Sequence, residues 1–270
     1  MSKILININN LSEIEDYKKI GISNFLFAIE DFSIGYKTFK LDEIPEYAYI
    51  LINRVLDCGD VDNIKKIKDK LLRFKGIIFE DLAIYNMFKD SDIELIWHQN
   101  HFATNYESIN YYVTHGCLSA IISNELTESE ILEILDKEKK PLVLNILGKN
   151  QIMYSRRTLL SNFNKHNNLG ELNNMTLDTK GNKENFEASE NKYGTIITSD
   201  EYFNYVPLMN KVNDDLVLYY LILNKDLSVE NIKDIINGAS FGNDGFLNKK
   251  TVYRMSEYND GKNWIISSSR

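Results

Sequence analysis

Eight short runs of apolar, mostly β-branched or aromatic residues alternate along this chain with polar segments of helical period. Runs that are apolar on both faces are typical of strands in a parallel sheet, and the segments between them fit crossover helices. Eight βα units predict an α/β fold, a (β/α)8 TIM-type barrel. The eight runs are Lys3–Asn7, Asn24–Ile29, Ala48–Asn53, Gly76–Glu80, Glu94–His98, Ser119–Ser123, Pro141–Leu147 and Leu216–Leu223.

An open doubly wound sheet is the alternative architecture, because it is built from the same βα units. No Gly-x-Gly-x-x-Gly follows the first run, so the dinucleotide-binding fingerprint of that fold is missing. The length of 270 residues fits one large α/β domain and is too short for two full enzyme domains. We therefore expect residues 1–270 to form a single barrel domain.

Helix-capping signals mark the segments between the runs. Asn105 stands before one apolar-periodic segment, and Thr127 with Glu130 forms a capping box before another. Asp60 stands in the same position before a third segment. The predicted helices are Leu11–Ile20, Val61–Phe74, Tyr106–His115, Glu128–Lys139 and Val229–Asn237.

The regular alternation breaks between the seventh and eighth runs. Residues 166–207, approximately, are polar and rich in Asn, with a hairpin signal around Lys180-Gly181-Asn182 and an extended piece at Gly194–Thr198. This pattern predicts a β-hairpin insertion on the C-terminal rim of the barrel, where substrate-covering elements usually lie; a surface loop without function is the alternative. Residues 241–270 are expected to be a short C-terminal extension with extended segments at Thr251–Met255 and Trp264–Ser267.

Charge and cysteine content exclude several classes of protein. The net charge of −8 argues against a surface that coats nucleic acid, although a local basic pocket remains compatible with it. No leader-like segment and no stretch of about 18 apolar residues is present, so we expect neither export nor a membrane partner. Cys58 and Cys117 form no CxxC pair and no disulfide framework, which predicts a cytoplasmic protein without a cysteine-based metal site.

Acidic side chains follow three of the apolar runs. In a parallel barrel the carboxyl ends of the strands meet at one face, which is where the active sites of such barrels lie. We therefore expect Glu30, Glu80 and Glu125 to be catalytic, as general acids or bases or as groups that orient a substrate. The alternative is that they are rim salt-bridge partners or charges that complement helix dipoles.

Polar and basic residues at the same ends are the candidates for substrate binding. His98 and His101 have HxxH spacing at a strand end, which differs from the helical HExxH of zinc proteases and favours a structural or substrate-facing pair over a metal site. Cys117 is expected to be a small core residue and not a nucleophile. The predicted substrate-binding residues are His98, Asn100, Asn105, Tyr154, Ser155, Arg156 and Arg157.

The adjacent arginines are the sharpest local feature of the sequence. Only six arginines occur against 25 lysines, and Arg156 and Arg157 stand together directly after the seventh run. A planar guanidinium binds a carboxylate or phosphate through two hydrogen bonds, so this pair predicts an anion clamp. The alternative is a solvated pair, or one bridged to Glu30 and Glu80.

Two stretches resemble peptidase family U32, the collagenase-like peptidases. Residues 105–126, NYESINYYVTHGCLSAIISNEL, followed by TESEI, are similar to a segment in which an Asn-led helix ends at Gly and a strand closes in Ser-x-Glu-Leu. Residues 148–162, GKNQIMYSRRTLLSN, resemble the signature after that family's seventh strand, where Gly148, Tyr154, Ser155, Leu160 and Ser161 fit. The later stretches Tyr193–Ile196, Gly245–Leu247 and Thr251–Tyr253 are similar to further family landmarks.

The chain also departs from that signature. Val143 and Asn145 stand where the family has Glu and Phe, and Arg156 stands at a glycine position. Gln151 and Thr158 replace two cysteines. Relatives with an iron–sulfur cluster use cysteines from this region, so the resemblance implies a short, cysteine-poor branch without that cluster. No cofactor is expected, and a divalent metal is left open.

The family resemblance implies a barrel and a collagenase-like peptidase, a hydrolase acting on a peptide or small carboxylate. Other members of the family serve in the hydroxylation of tRNA or ribosomal RNA bases. The alternative function is therefore an accessory or catalytic factor in RNA base hydroxylation, working on tRNA or rRNA with a longer paralogue. The residues alone show no metal triad and no Ser-His-Asp order, so they leave the choice between the two open.

Overall fold

Eight parallel strands close into a barrel in this computed structural model, which describes residues 3–170, 172–178 and 185–249. Each barrel strand pairs with its neighbours, and the last pairs with both the first and the seventh, which closes the circle. The predicted (β/α)8 barrel is confirmed, and the open-sheet alternative is wrong. In chain order the strands are β1 (Ile4–Asn7), β2 (Asn24–Ile29), β3 (Thr38–Phe39), β4 (Tyr49–Ile52), β5 (Gly76–Phe79), β6 (Glu94–His98), β7 (Ser119–Ile122), β8 (Leu142–Ser155), β9 (Asn174–Leu177), β10 (Phe186–Asn191), β11 (Gly194–Asn204) and β12 (Val217–Ile222).

The barrel consists of β1, β2, β4 to β8 and β12, and helices cover its outside. None of the helices formed by the described residues is long and apolar enough to cross a lipid bilayer. The helices are α1 (Ile14–Lys19), α2 (Cys58–Lys66), α3 (Lys68–Leu71), α4 (Leu82–Phe88), α5 (Tyr106–Thr114), α6 (Glu128–Lys137), α7 (Leu159–His166) and α8 (Val229–Ile236).

Two predicted helix starts are confirmed by their caps. The side chain of Asn105 accepts a hydrogen bond of 2.9 Å from the backbone N–H of Ser108. At α6, the backbone N–H of Thr127 donates to Glu130 Oε2 over 2.8 Å, and the N–H of Glu130 donates back to Thr127 Oγ1 over 3.4 Å. These bonds satisfy first-turn donors that the helix itself leaves unpaired.

The predicted helix Val61–Phe74 is wrong in its boundaries and continuity. Asp57, and not Asp60, caps α2, since its side chain accepts from the backbone N–H of Asp60 over 2.8 Å. The helix then stops at Ile67 and resumes as the single turn α3. Likewise, the predicted helix Leu11–Ile20 begins as a 3-10 turn before α1. Helices α4 and α7 are present in addition to the predicted ones.

The inner surface of the barrel changes from apolar to polar along its strands. Its apolar interior is formed by every second strand residue, including Leu51, Ile78, Ile96, Ile121 and Val143. Because side chains alternate across a strand, the residues two positions later also point inward, at the carboxyl ends. Leu5 also belongs to the apolar interior, and Asn7 lies two positions after it. The six inward-pointing residues at the carboxyl ends are Asn7, Asn53, Glu80, His98, Ser123 and Asn145. We call these six residues the polar layer.

An antiparallel sheet rises from one side of the barrel. Strand β8 continues past the barrel to Ser155, and β11, β10 and β9 follow it in that order across the sheet. The predicted insertion is thus present, and the extended piece Gly194–Thr198 forms the start of β11. The predicted turn at Lys180–Asn182 lies outside the described residues, as do the extended segments Thr251–Met255 and Trp264–Ser267 of the C-terminal extension.

Candidate functional site

Glu80 and His98 form an acid–base pair within the polar layer. Strands β5 and β6 pair in parallel with Phe79 opposite Trp97, which places the next residue of each strand side by side at the mouth. His98 Nδ1 lies 3.3 Å from Glu80 Oε1, and the two side chains are only 15% and 16% exposed. The backbone carbonyl of Glu80 also accepts a hydrogen bond of 2.9 Å from the Gln99 side chain.

Burial drives the two pKa values of this pair in opposite directions. It raises the pKa of the Glu80 carboxyl to about 8, because a carboxylate loses its hydration inside the mouth. It lowers the pKa of His98 to about 4, because the imidazolium form loses hydration in the same way. At neutral pH the pair therefore holds one proton, with Glu80 as the acid and His98 as the base.

Two buried amides of the polar layer have an unpaired oxygen. Asn7 Oδ1 and Asn145 Oδ1 have no hydrogen-bond partner, although these residues are only 2% and 8% exposed. The other end of the Asn7 amide donates to the backbone carbonyl of Asn224 over 2.8 Å. A buried unpaired acceptor costs about 1–3 kcal/mol, and a ligand donor that reached either oxygen would remove that cost.

The loop after β2 folds over the mouth. Asn53 of the polar layer holds it, accepting from the backbone N–H of Ile34 over 2.9 Å and donating to the carbonyl of the same residue over 3.0 Å. Gly35, at φ +83°, packs so closely on β11 that a Cβ would lie 2.8 Å from Ile196 Cδ1. Tyr36 packs against the inner core, and its burial and the nearby Glu80 raise its pKa.

The predicted arginine clamp is arranged differently from the expectation. Arg156 makes an ion pair with Asp57, both about half exposed, and does not bridge to Glu30 or Glu80. Arg157 is exposed, and the Ser155 hydroxyl accepts from its backbone N–H over 3.2 Å. The Arg156 guanidinium is therefore already paired with a carboxylate, and the binding of an anion by Arg156 and Arg157 stays a prediction.

A buried arginine that was not among the predicted site residues organises this side of the rim. Arg54 is 3% exposed, lies 3.1 Å from the Asp60 carboxylate, and donates to the backbone carbonyl of Asp31. Its guanidinium stacks 3.8 Å from the centre of the Tyr193 ring, at the turn between β10 and β11. The Tyr154 hydroxyl donates to the carbonyl of Tyr193 over 3.0 Å. These contacts attach the antiparallel sheet to the barrel.

The remaining predicted residues lie in separate surroundings. Glu125 Oε1 is 3.0 Å from His101 Nδ1 in a half-exposed pair on the rim. Asn100 Oδ1 accepts from the backbone N–H of Asn124 over 3.2 Å, and the Asn105 side chain is engaged in capping α5. Glu30 is exposed and lines a cavity of about 580 Å³ that neither Glu80 nor His98 lines. The structure thus brings Glu80 together with His98 alone, and the roles of all these residues remain predictions.

The cysteines and acidic residues form no metal centre in the described part of the chain. No three His, Cys, Asp or Glu side chains among the described residues come together in a way that could hold a metal ion. Cys58 is free and exposed. Cys117 is free and buried in the core, and burial raises the pKa of its thiol to about 12, so it matches the predicted core residue.

A curated relative and a solved structure are similar to this chain. The "tRNA hydroxylation protein P2" of Bacillus subtilis (strain 168) is 22% identical over 185 residues, which cover 67% of this chain and 53% of that protein. The chain thus spans about half the length of this relative. The structure of the U32 peptidase Mk0906 superimposes with a TM-score of 0.51 at 10% identity, over 84% of this chain and 94% of that one. This likeness shows the fold alone.

The model of Peptidase family U32 matches residues 12–174, which run from just before α1 through the barrel strands β2 and β4 to β8 to the first residue of β9. The match includes both stretches that resembled the family in sequence, as well as Glu80 and His98. It covers more than half of the chain, and the closed barrel agrees with it. The chain belongs to peptidase family U32.

Proposed function

We propose that this chain is a hydrolase that cleaves an amide bond of a peptide at the C-terminal mouth of the barrel. The observation that carries the proposal is the buried Glu80–His98 pair, with 3.3 Å between Nδ1 and Oε1 and with one proton at neutral pH. The family to which the chain belongs supports the choice of a peptide substrate. The free thiols of Cys58 and Cys117 fit a cytoplasmic location.

Amide hydrolysis needs a base that takes a proton from water and an acid that protonates the leaving nitrogen. In the proposed arrangement, His98 Nδ1–H faces Glu80 Oε1, which leaves Nε2 to take the water proton. The hydroxyl of the Glu80 carboxyl then donates its proton to the leaving amine. The C–N bond breaks and the water oxygen bonds to the carbonyl carbon. Solvent then carries the proton on His98 Nε2 to the Glu80 carboxylate, which restores both starting protonation states.

The polar layer supplies groups that would hold the substrate. The unpaired oxygens of Asn7 and Asn145 suit the N–H groups of a peptide backbone. Tyr36 packs against the inner core close enough to Glu80 to feel its charge, and it would have to move with its loop when the substrate enters. A peptide or a small amide with a carboxylate is the class of substrate that we expect.

Hydrolysis of gelatin and of a mixed peptide library, followed by mass spectrometry, tests this function. We expect the unmodified protein to cleave peptides, and Glu80→Gln and His98→Gln to lower kcat by about a hundredfold or more. Glu133→Gln is the matched control, because Glu133 is an exposed carboxylate paired with Lys137 on α6. Absence of cleavage by the unmodified protein, or full activity in both mouth variants, would reject the proposal.

A second candidate function is favoured by the name of the B. subtilis relative. In this alternative the chain assists tRNA or rRNA base hydroxylation together with a longer paralogue. Phosphate contacts make binding strongly dependent on salt, so tRNA affinity should fall steeply between low and high salt if this function is correct. Loss of a hydroxylated nucleoside in a deletion strain, with no gelatinase activity, would decide for it, and a flat salt dependence would exclude phosphate contacts.

A further inference from the structure

A cleft of about 730 Å³ lies between the antiparallel sheet and the loop after β2. Tyr36 and Lys37 line it from the loop, and Glu187 and Ser189 line it from β10. Lys225 also lines the cleft, three residues beyond the end of β12. The carboxyl end of a barrel strand is the position from which barrels of this type present reactive side chains.

Lys225 lies farther from the carboxylate of Glu187 than its neighbour Lys149 does. Lys149 Nζ lies 2.8 Å from Glu187 Oε1, and its side chain is only 5% exposed. Lys225 Nζ is 3.8 Å from the other oxygen of the same carboxylate and donates to Thr198 Oγ1 over 3.1 Å. Glu187 therefore pairs more closely with Lys149, while the Lys225 amine lies against the neutral hydroxyl of Thr198.

The surroundings of Lys225 lower the pKa of its amine relative to that of a lysine in water. Burial lowers the pKa of Lys225, and the charge of Lys149 acts in the same direction. Glu187 and Asp226 oppose this effect, but the carboxylate of Asp226 accepts a hydrogen bond of 2.6 Å from the Tyr202 hydroxyl. A partly desolvated lysine beside a second cation is a common setting for an amine nucleophile.

We propose that Lys225 is an amine nucleophile that forms an imine with an aldehyde or ketone bound in this cleft. The amine nitrogen bonds to the carbonyl carbon, and the carbonyl oxygen leaves as water together with the two amine protons. The step involves no oxidant or reductant. This reactivity is separate from the amide hydrolysis at Glu80 and His98 and does not depend on it.

Reductive alkylation of the full chain with butanal and cyanoborohydride at pH 7 tests the proposal, with the rate at each lysine read by peptide mass spectrometry. The neutral fraction of an amine rises about tenfold for each unit by which its pKa falls. We expect Lys225 to react at least about twofold faster than the exposed residues Lys139 and Lys233. Its rate should also level off at a lower pH than theirs. Equal or slower alkylation of Lys225 would overturn the proposal.

Two variants separate a reactive amine from mere accessibility. Lys225→Arg keeps the charge and should remove the fast-reacting site while leaving the rates at Lys139 and Lys233 unchanged. Lys149→Met removes the neighbouring cation and frees Glu187 for Lys225, so alkylation of Lys225 should slow. A thermal melt of each variant checks folding. If Lys149→Met is folded and Lys225 reacts as fast as before, the assigned cause of its reactivity is wrong.

Discussion

His98 Nδ1 lies 3.3 Å from Glu80 Oε1 at the mouth of the barrel, between two adjacent parallel strands. The register of β5 and β6 places the two residues side by side. Phe79 is opposite Trp97, and Glu80 and His98 are the next residues of the two strands. Burial then makes Glu80 a weaker acid and His98 a weaker base than in water. The pair stays in the form of one acid and one base across the neutral pH range.

The first prediction is a bell-shaped pH profile for peptide hydrolysis. Activity requires neutral His98 and protonated Glu80, so kcat/KM should rise through about pH 4 and fall through about pH 8. Initial rates in constant-ionic-strength buffers measure both limbs. Glu133→Gln should keep the same profile. If the residual activity of Glu80→Gln falls through the same upper limb, Glu80 is not the group that titrates there.

The second prediction concerns stability, and it holds whether or not the protein is a hydrolase. The Glu80 carboxyl has a pKa of about 8 in the folded protein, above its ordinary value of 4.5. As pH rises between these values, the unfolded chain releases this proton while the folded protein retains it. Stability attributable to Glu80 is therefore lost with rising pH, by about 1.4 kcal/mol per pH unit.

Glu80→Gln removes this penalty, because glutamine does not titrate. Urea unfolding of both proteins at pH 6.5 and pH 8 should show the free energy of unfolding shifting in favour of Glu80→Gln at the higher pH. Glu133→Gln serves as the control, since its carboxylate is exposed, and its difference from the unmodified protein should vary little over the same range. Parallel pH curves for Glu80→Gln and the unmodified protein would contradict a raised pKa at Glu80.

Much of the barrel could be predicted because its signals are local. Each barrel strand is an apolar run, and the last residue of such a run lies at the carboxyl end of its strand. This is why Glu80 and His98 could be proposed as site residues from the sequence. The pairing of Glu80 with His98 could also be predicted from the sequence, because consecutive parallel strands end side by side.

The parts that sequence analysis missed depend on contacts between distant residues. Arg156 meets Asp57, about a hundred positions away, and no local pattern indicates that partner. Residues 148–155 mix polar and apolar side chains, so the extension of β8 follows from its pairing with β11 and not from periodicity. The role of Arg54 could not be predicted either, because its stacking on Tyr193 requires the fold of the antiparallel sheet.

The third prediction tests the cap at Asn105. Asn105→Ala leaves the backbone N–H of Ser108 without its 2.9 Å acceptor, so the free energy of unfolding should fall by about 1 kcal/mol. Asn105→Asp keeps an acceptor at the same place and should restore most of that stability. Urea unfolding monitored by circular dichroism measures both. Equal stability of the alanine variant and the unmodified protein would show that the cap contributes nothing.

The fourth prediction compares a buried and an exposed arginine on the same rim. Arg54→Met leaves Asp60 without its partner inside the protein and removes the stacking on Tyr193, so the free energy of unfolding should fall by about 3–5 kcal/mol. Arg156→Met breaks an exposed ion pair with Asp57 and should cost at most about 1 kcal/mol. Urea unfolding gives both values, and limited proteolysis should cut the antiparallel sheet sooner in Arg54→Met alone. Similar losses in the two variants would mean that Arg54 does not attach this sheet to the barrel.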